Sequence, residues 1–160
     1  MNDIAVPKQT MRIQIENFRC YENKTFDFGD DGQVLLTGPS GEGKTTILMA
    51  ISFALFGNGR KVVTQGKTSC RVALEFEDMK IVRTKSPNRL VLNDALEDAA
   101  AQEVINRRFG TNFDVTGYVE QFGLKSFILM SPSDKLEFLE KHAFEGTDLG
   151  EIKKRNRIHI

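Results

Sequence analysis

The chain has 160 residues, 22 basic and 22 acidic side chains, no formal net charge and 40% hydrophobic residues. This length suffices for one globular domain with a buried core, and the charge balance requires neither a nucleic acid nor a membrane as partner. Its 2 cysteines form no metal-binding motif, and the chain shows neither a signal peptide nor a membrane-spanning run, which predicts a soluble, intracellular protein of the cytoplasm or nucleus with no membrane partner.

The first part of the chain predicts a leader followed by two strands. Residues 1–9 lack periodicity and are expected to be flexible, so the fold should begin near residue 10. Residues 11–16 alternate apolar and polar side chains, and residues 24–28 form a second strand-like run before a turn at 29–32. Two successive strands suggest an antiparallel addition to a sheet.

A phosphate-binding motif follows. Residues 33–37 read as a short buried strand, and residues 45–56 read as a buried helix that ends at Gly57. Between them the chain matches GxxxxGK(S/T) with Gly38, Pro39, Ser40, Gly41, Glu42, Gly43, Lys44 and Thr45. Strand, loop and helix stand in the order that a nucleoside triphosphate site requires.

The chemistry of this motif explains its residue types. Glycines let the backbone N–H groups approach the phosphates, and the helix N-terminus adds partial positive charge. Lys44 is placed to reach the β- and γ-phosphates, and the hydroxyl of Thr45 is placed to bind Mg²⁺. Together with Thr46, which follows the motif, these residues predict ATP and Mg²⁺ as cofactors.

The remainder predicts a meander and then helices. Residues 70–77, 79–85 and 89–93 are strand-like at hairpin spacing, which favours antiparallel pairing and a mixed α/β fold over a doubly wound sheet. Helical patterns cover residues 96–109, 114–122 and 133–144, with Ser133 as the expected cap. The segment 146–160 is either the start of a coiled-coil helix or a truncated tail.

Three stretches together resemble the N-terminal half of the ATPase head of the SMC class, especially its SbcC-like double-strand-break repair members. They are the turn Asn17-Phe18-Arg19 with its flanks, the phosphate motif with its continuation to Gly57, and the run from Tyr118 to Leu139. The resemblance implies a P-loop NTPase of ABC/SMC type: head lobe I over residues 10–145, with an antiparallel β addition and C-terminal helices.

The resemblance also implies roles for two further residues. Gln121 corresponds to the glutamine-loop residue, which contacts Mg²⁺ or the attacking water and is the catalytic candidate of this chain. Arg19 corresponds to the basic residue that points at the nucleotide phosphates. Three positions depart from the family pattern, namely Ser40, Glu42 and Met49.

The signature motif, Walker B acid, catalytic glutamate and switch histidine of the family are not recognisable. Residues 90–94 imitate a Walker B strand but lack the glutamate, and we interpret them as an ordinary strand end. The chain is therefore expected to bind ATP and to hydrolyse it weakly or not at all by itself.

The leading hypothesis is an ATP-binding half-head of a DNA repair or chromosome-organising ATPase. Its expected partners are a C-terminal half-head or second ATPase head, a nuclease subunit and DNA. One alternative is a non-catalytic nucleotide-binding interaction module that docks on a complete head. Another is a fragment of a transporter-type ATPase, for which an upstream aromatic residue that stacks on adenine would be expected.

Overall fold

The computed structural model describes residues 10–29, 33–76, 78–110 and 127–143. The chain divides into two compact units, Met1–Thr111 and Asn112–Ile160. The described residues of the first unit form a sheet and two helices. The second is described over a 3-10 turn and one helix.

The described part of the first unit contains a six-stranded sheet in the order β2-β1-β3-β4-β5-β6. All neighbouring strands are antiparallel, so the predicted antiparallel meander and mixed α/β class are confirmed. The strands are β1 (Met11–Phe18), β2 (Tyr21–Phe28), β3 (Cys70–Glu75), β4 (Lys80–Lys85), β5 (Arg89–Leu92) and β6 (Leu96–Glu97).

Helix α1 (Lys44–Phe56) supplies much of the core of this unit. It packs against β1, β3 and β4, and the rings of Phe53 and Phe18 lie 5.3 Å apart between centroids. The helix ends as predicted at Gly57, whose φ of 72° suits glycine and whose N–H donates to the Phe53 carbonyl at 2.7 Å. This packing fixes the N-terminus of α1 relative to the sheet.

The strand predicted over residues 33–37 is absent, which corrects the sequence-based expectation. The segment joins no sheet, and Val34 and Leu35 are 52% and 85% exposed. Among the described residues no strand pairs with this segment, and β1 is already paired on both edges, with β2 and β3. A strand-like sequence cannot form a ladder unless another strand accepts its hydrogen bonds.

Helix α2 (Asp98–Phe109) begins two residues later than predicted. Leu96 instead pairs with Leu92 across a tight turn in which Asn93 and Asp94 have φ of 52° and 54°. Two positive φ values are those of a type I′ hairpin turn, which suits Asn and Asp and draws the residues after it into β6. Ala101 and Ile105 form the buried face of α2.

In the second unit, a 3-10 turn (Phe127–Leu129) precedes helix α3 (Pro132–Ala143). The cap is Ser131 and not Ser133: the N–H of Asp134 donates to Ser131 Oγ at 3.2 Å. Pro132 occupies the first helical position, where a missing N–H costs nothing, so the preceding residue becomes the cap.

Several sequence-based predictions lie outside the described residues. These are the leader at 1–9, the middle of the turn at 30–32, the helix at 114–122 and the tail at 146–160. The domain boundary predicted at residue 145 falls there as well. Over the part of the chain that the structure describes, none of the helices combines the length and apolar character needed to cross a bilayer.

Candidate nucleotide site

The phosphate loop, residues 38–45, has the backbone geometry that its sequence predicts. Gly38, Gly41 and Gly43 have φ of 145°, 90° and 90°. An added Cβ at Gly38 or Gly41 would meet no atom within 4 Å. The loop therefore presents bare backbone toward open space, as a cradle for an anion requires.

The N-terminus of α1 follows the loop directly and is available to a ligand. No side chain of the described residues caps it, and no acidic residue stands in its first turn. The backbone N–H groups of a first helical turn have no acceptor within the helix. Together with the helix dipole they favour a bound anion at this position.

The Lys44 ammonium is folded back into the loop. Its Nζ donates to the carbonyl oxygens of Gly38 at 2.7 Å and Pro39 at 2.5 Å. An ammonium has three donors, so one remains for a further acceptor. The two contacts hold the positive charge inside the loop.

The two threonines after the lysine are oriented differently. Thr45 is exposed, so its hydroxyl can reach a metal ion bound to a nucleotide. Thr46 is only 7% exposed, and its Oγ1 accepts a hydrogen bond from Cys20 Sγ at 3.4 Å. The side chain of Thr46 therefore faces the protein, and its contribution to a phosphate site would come from its backbone N–H.

The corner between β1 and β2, formed by Arg19, Cys20 and Tyr21, lies against the loop. Arg19 is exposed, has φ of 53°, and its backbone N–H donates to the Val62 carbonyl at 2.7 Å. Among the described residues, no ion pair engages its guanidinium. Cys20 and Tyr21, the next two residues in the chain, make the contacts with the loop, and the role of Arg19 at the phosphates stays a prediction.

Two loop neighbours were not predicted from sequence. The Tyr21 hydroxyl donates to the Glu42 carbonyl at 3.2 Å, and both Tyr21 and Cys20 pack on Gly43. Partial burial, followed by the proximity of Cys20 and Glu42, raises the pKa of Tyr21 above its ordinary value. The sequence signal was weak, because nothing local marks a contact between residues this far apart in the chain.

Of the remaining predicted site residues, three lie in the loop and one lies outside the described residues. Pro39, Ser40 and Glu42 are exposed in the loop. Gln121, the predicted catalytic and Mg²⁺-binding residue, lies outside the described residues. The roles of Arg19 and Gln121 in nucleotide binding therefore stay predictions.

Residues 90–94, whose sequence resembles a Walker B strand, form an ordinary strand end, as interpreted from sequence. β5 ends at Leu92, and Asp94 lies in the hairpin turn, where its carboxylate pairs with Lys80 Nζ at 3.4 Å. Lys80 pairs in register with Glu75, and Glu75 with Arg12, at the start of β1. Asp94 is consequently at the opposite end of the sheet from the Arg19 corner.

Comparison with known proteins identifies the family. The model of the AAA domain family matches residues 12–157. Protein 094L of Invertebrate iridescent virus 3 is 41% identical over 155 residues, which cover 94% of this chain and 18% of that protein. The DNA double-strand break repair Rad50 ATPase of Methanocaldococcus jannaschii is 31% identical over 148 residues, which cover 81% of this chain and 15% of that protein.

A component of the nuclease SbcCD of Deinococcus radiodurans is 32% identical over 76 residues, covering 42% of this chain and 8% of that protein. The chain spans less than about a fifth of the length of these relatives. The chain belongs to the AAA domain family, and its sequence corresponds to an N-terminal fragment of an SMC/SbcC-like ATPase head.

Proposed function

We propose that this chain binds ATP with Mg²⁺ as the N-terminal half of an SMC/SbcC-like head, and that a C-terminal half supplies the carboxylates for hydrolysis. The observation that supports this most strongly is the loop itself. Three glycines with positive φ precede a helix N-terminus that no side chain caps. The Lys44 ammonium is held inside the loop by the carbonyl oxygens of Gly38 and Pro39. A polyanion is the ligand that satisfies all three features at once.

The residues present fit the triphosphate and its metal. The loop N–H groups and Lys44 would hold the β- and γ-phosphates, Thr45 would bind Mg²⁺, and Arg19 would add a second positive charge. The metal, when bound, neutralises phosphate charge. Gln121 remains our proposal for the residue that orients water or metal.

The need for a second half is supported by apolar surface that remains exposed on the described residues. Leu35 is 85% exposed in a strand-like sequence without a neighbouring strand. On α1, Leu48 is 43% exposed and Met49 and Ile51 are only half-buried, although the helix has no charged residue after Lys44. A helix that is apolar on every side is normally buried on every side.

The relatives suggest which partners to propose. We propose that the assembled protein contains a C-terminal half-head or a second head, and works with a nuclease subunit on DNA. The support is the likeness to a protein named for double-strand break repair and to a component of a nuclease.

The test is ATP binding by calorimetry and phosphate release, both with Mg²⁺, for the wild type and two variants. Lys44→Ala removes the loop ammonium and should weaken binding at least about tenfold. Lys24→Ala removes an exposed lysine on β2 and should bind as the wild type does. Binding without turnover, lost in the first variant alone, supports the proposal.

Two other outcomes would contradict it. No ATP binding by the wild type would mean that the loop has only a structural role. Turnover by the chain alone would mean that its 160 residues already contain a catalytic base, and that no second half is required.

A further inference from the structure

The Cys20–Tyr21 pair occupies the space next to Gly43. A Cβ at position 43 would lie 2.5 Å from the Tyr21 hydroxyl oxygen, 2.8 Å from its Cζ and 2.9 Å from Cys20 Sγ. Such distances are shorter than real contacts, so the backbone of Gly43 touches the two side chains directly. The last loop residue before α1 is therefore supported from one side by the corner.

The Tyr21 hydroxyl fixes the preceding peptide group. It donates to the carbonyl oxygen of Glu42 at 3.2 Å. The Glu42 carbonyl and the Gly43 N–H belong to the same peptide plane, so holding one orients the other. A tyrosine phenol titrates at about pH 10, so the hydroxyl keeps its proton at neutral pH and remains a donor.

The corner is itself anchored independently of the loop. Arg19 N–H donates to the Val62 carbonyl at 2.7 Å, and Thr64 N–H donates to the Asn17 carbonyl at 2.8 Å. The Tyr21 ring packs edge-on against Phe26, with centroids 5.5 Å apart. Tyr21 thus connects a hydrogen-bonded corner of the sheet to a loop rich in glycine.

We propose that Tyr21 is a positioning residue for the phosphate loop: its hydroxyl and ring hold the Glu42–Gly43 peptide so that the following N–H groups face the phosphates. This inference rests on the proposed function, since it assumes that the loop binds a polyphosphate. In this proposal Tyr21 supports binding of the phosphates through the loop and does not contact the base of the nucleotide. The ring stands against Gly43 and Phe26, and its polar atom is directed at the loop carbonyl.

The test compares Tyr21→Phe with wild type in binding Mg–ATP and inorganic tripolyphosphate. The variant keeps the ring and loses one hydrogen bond, so both affinities should fall by the same factor, about three- to tenfold. Thr84→Val is the matched control, because it removes a hydroxyl that donates to the Pro87 carbonyl at 2.8 Å, in another turn. The control should bind both ligands as the wild type does.

Amide hydrogen exchange without ligand supplies a second readout. In Tyr21→Phe the amides of residues 42–46 should exchange faster, while those of β3 and β4 should not change. Unchanged affinity and exchange in Tyr21→Phe would overturn the inference and leave the nucleotide site intact. A loss for ATP without a loss for tripolyphosphate would overturn it too, because Tyr21 would then act on the base.

If the wild type binds neither ligand, the proposed function fails. The exchange experiment still decides whether Tyr21 orders the loop.

Discussion

At the scale of single residues, the contact between Gly43 and the Cys20–Tyr21 pair determines what the loop tolerates. Gly41 and Gly43 share a φ of 90°, which costs a non-glycine residue about 1–2 kcal/mol. They differ in surroundings, because an added Cβ meets nothing at Gly41 and meets three atoms within 3 Å at Gly43. Alanine substitution at Gly41 therefore measures backbone strain alone, whereas alanine substitution at Gly43 measures backbone strain together with steric overlap.

We expect Gly41→Ala to lower the free energy of unfolding by about 1–2 kcal/mol and Gly43→Ala to lower it by about 1–3 kcal/mol more. Urea denaturation of the two variants measures the difference. Equal values would show that Tyr21 and Cys20 move aside at little cost, and that the corner does not constrain the loop.

The two cysteines should differ sharply in reactivity. Cys20 is exposed, whereas Cys70 is 3% exposed and burial raises the pKa of its thiol. Because the thiolate is the reactive form, iodoacetamide should modify Cys20 at least about tenfold faster, as timed mass spectrometry will show. The adduct lies beside Gly43, so the modified chain should also bind ATP more weakly. In Cys20→Ser, iodoacetamide should not change ATP binding. An equal loss of ATP binding in that variant would show that modification of another residue causes the effect.

At the scale of elements, the C-terminus of α1 depends on Arg83 from β4 and Gln102 from α2. Arg83 donates to the carbonyls of Ala54 at 3.0 Å and Leu55 at 3.2 Å, and Gln102 Nε2 donates to Leu55 at 3.0 Å. These carbonyls have no partner within the helix, and a cation there also suits the helix dipole. One guanidinium thus joins α1, β4 and α2.

We expect Arg83→Ala to lower the free energy of unfolding by roughly 2–4 kcal/mol, since it leaves the Ala54 carbonyl without its side-chain donor and removes one of the two donors to the Leu55 carbonyl. Arg83→Lys retains the charge but loses the planar set of guanidinium donors, so its stability should lie between those of the wild type and Arg83→Ala. Arg107→Ala, which breaks an exposed pair with Glu103 within one helix, should cost less than about 0.5 kcal/mol. Urea denaturation of the three variants tests the order, and a cost for Arg83→Ala no larger than the control would refute the argument.

The link between α2 and the β3–β4 turn should depend on pH. Arg108 donates to both carboxylate oxygens of Asp78, and this lowers the pKa of Asp78 below its ordinary value. A lowered folded pKa gives stability that is present above about pH 4 and is lost as pH falls through the folded value. Asp78→Asn should thus be less stable than wild type at pH 7, and the difference in stability should shrink as the pH falls through the lowered pKa of Asp78. Glu103→Gln, which alters an exposed pair with Arg107 on the same helix, should differ less in stability from the wild type at pH 7.

Local patterns predicted the elements whose partners lie in this chain. The alternation in β1 and β3 and the closing Gly57 of α1 are local signals, and the structure confirms them. The failure at residues 33–37 has the opposite cause: the pattern was that of a strand, but a strand also needs a neighbour. The Tyr21–Gly43 contact was unpredictable for a similar reason, since it depends on how β1 crosses α1 and not on either local sequence.

At the scale of the whole molecule, the exposed apolar segment around Leu35 is where the isolated chain and an assembled head should behave differently. Leu35 is 85% exposed, so Leu35→Glu should change the free energy of unfolding of the isolated chain by less than about 0.5 kcal/mol. Its binding of a hydrophobic dye should fall, because a large exposed apolar side chain is replaced by a charge.

The same substitution should prevent capture of a co-expressed C-terminal half-head, since burying an unpaired carboxylate in an interface is costly. Leu96→Glu, at a position 40% exposed on β6, is the control and should leave capture intact. Capture undiminished by Leu35→Glu would show that the second half binds elsewhere. Destabilisation of the isolated chain by Leu35→Glu would show that residues 33–37 already pack on this chain, and that the exposed segment needs no partner to cover it.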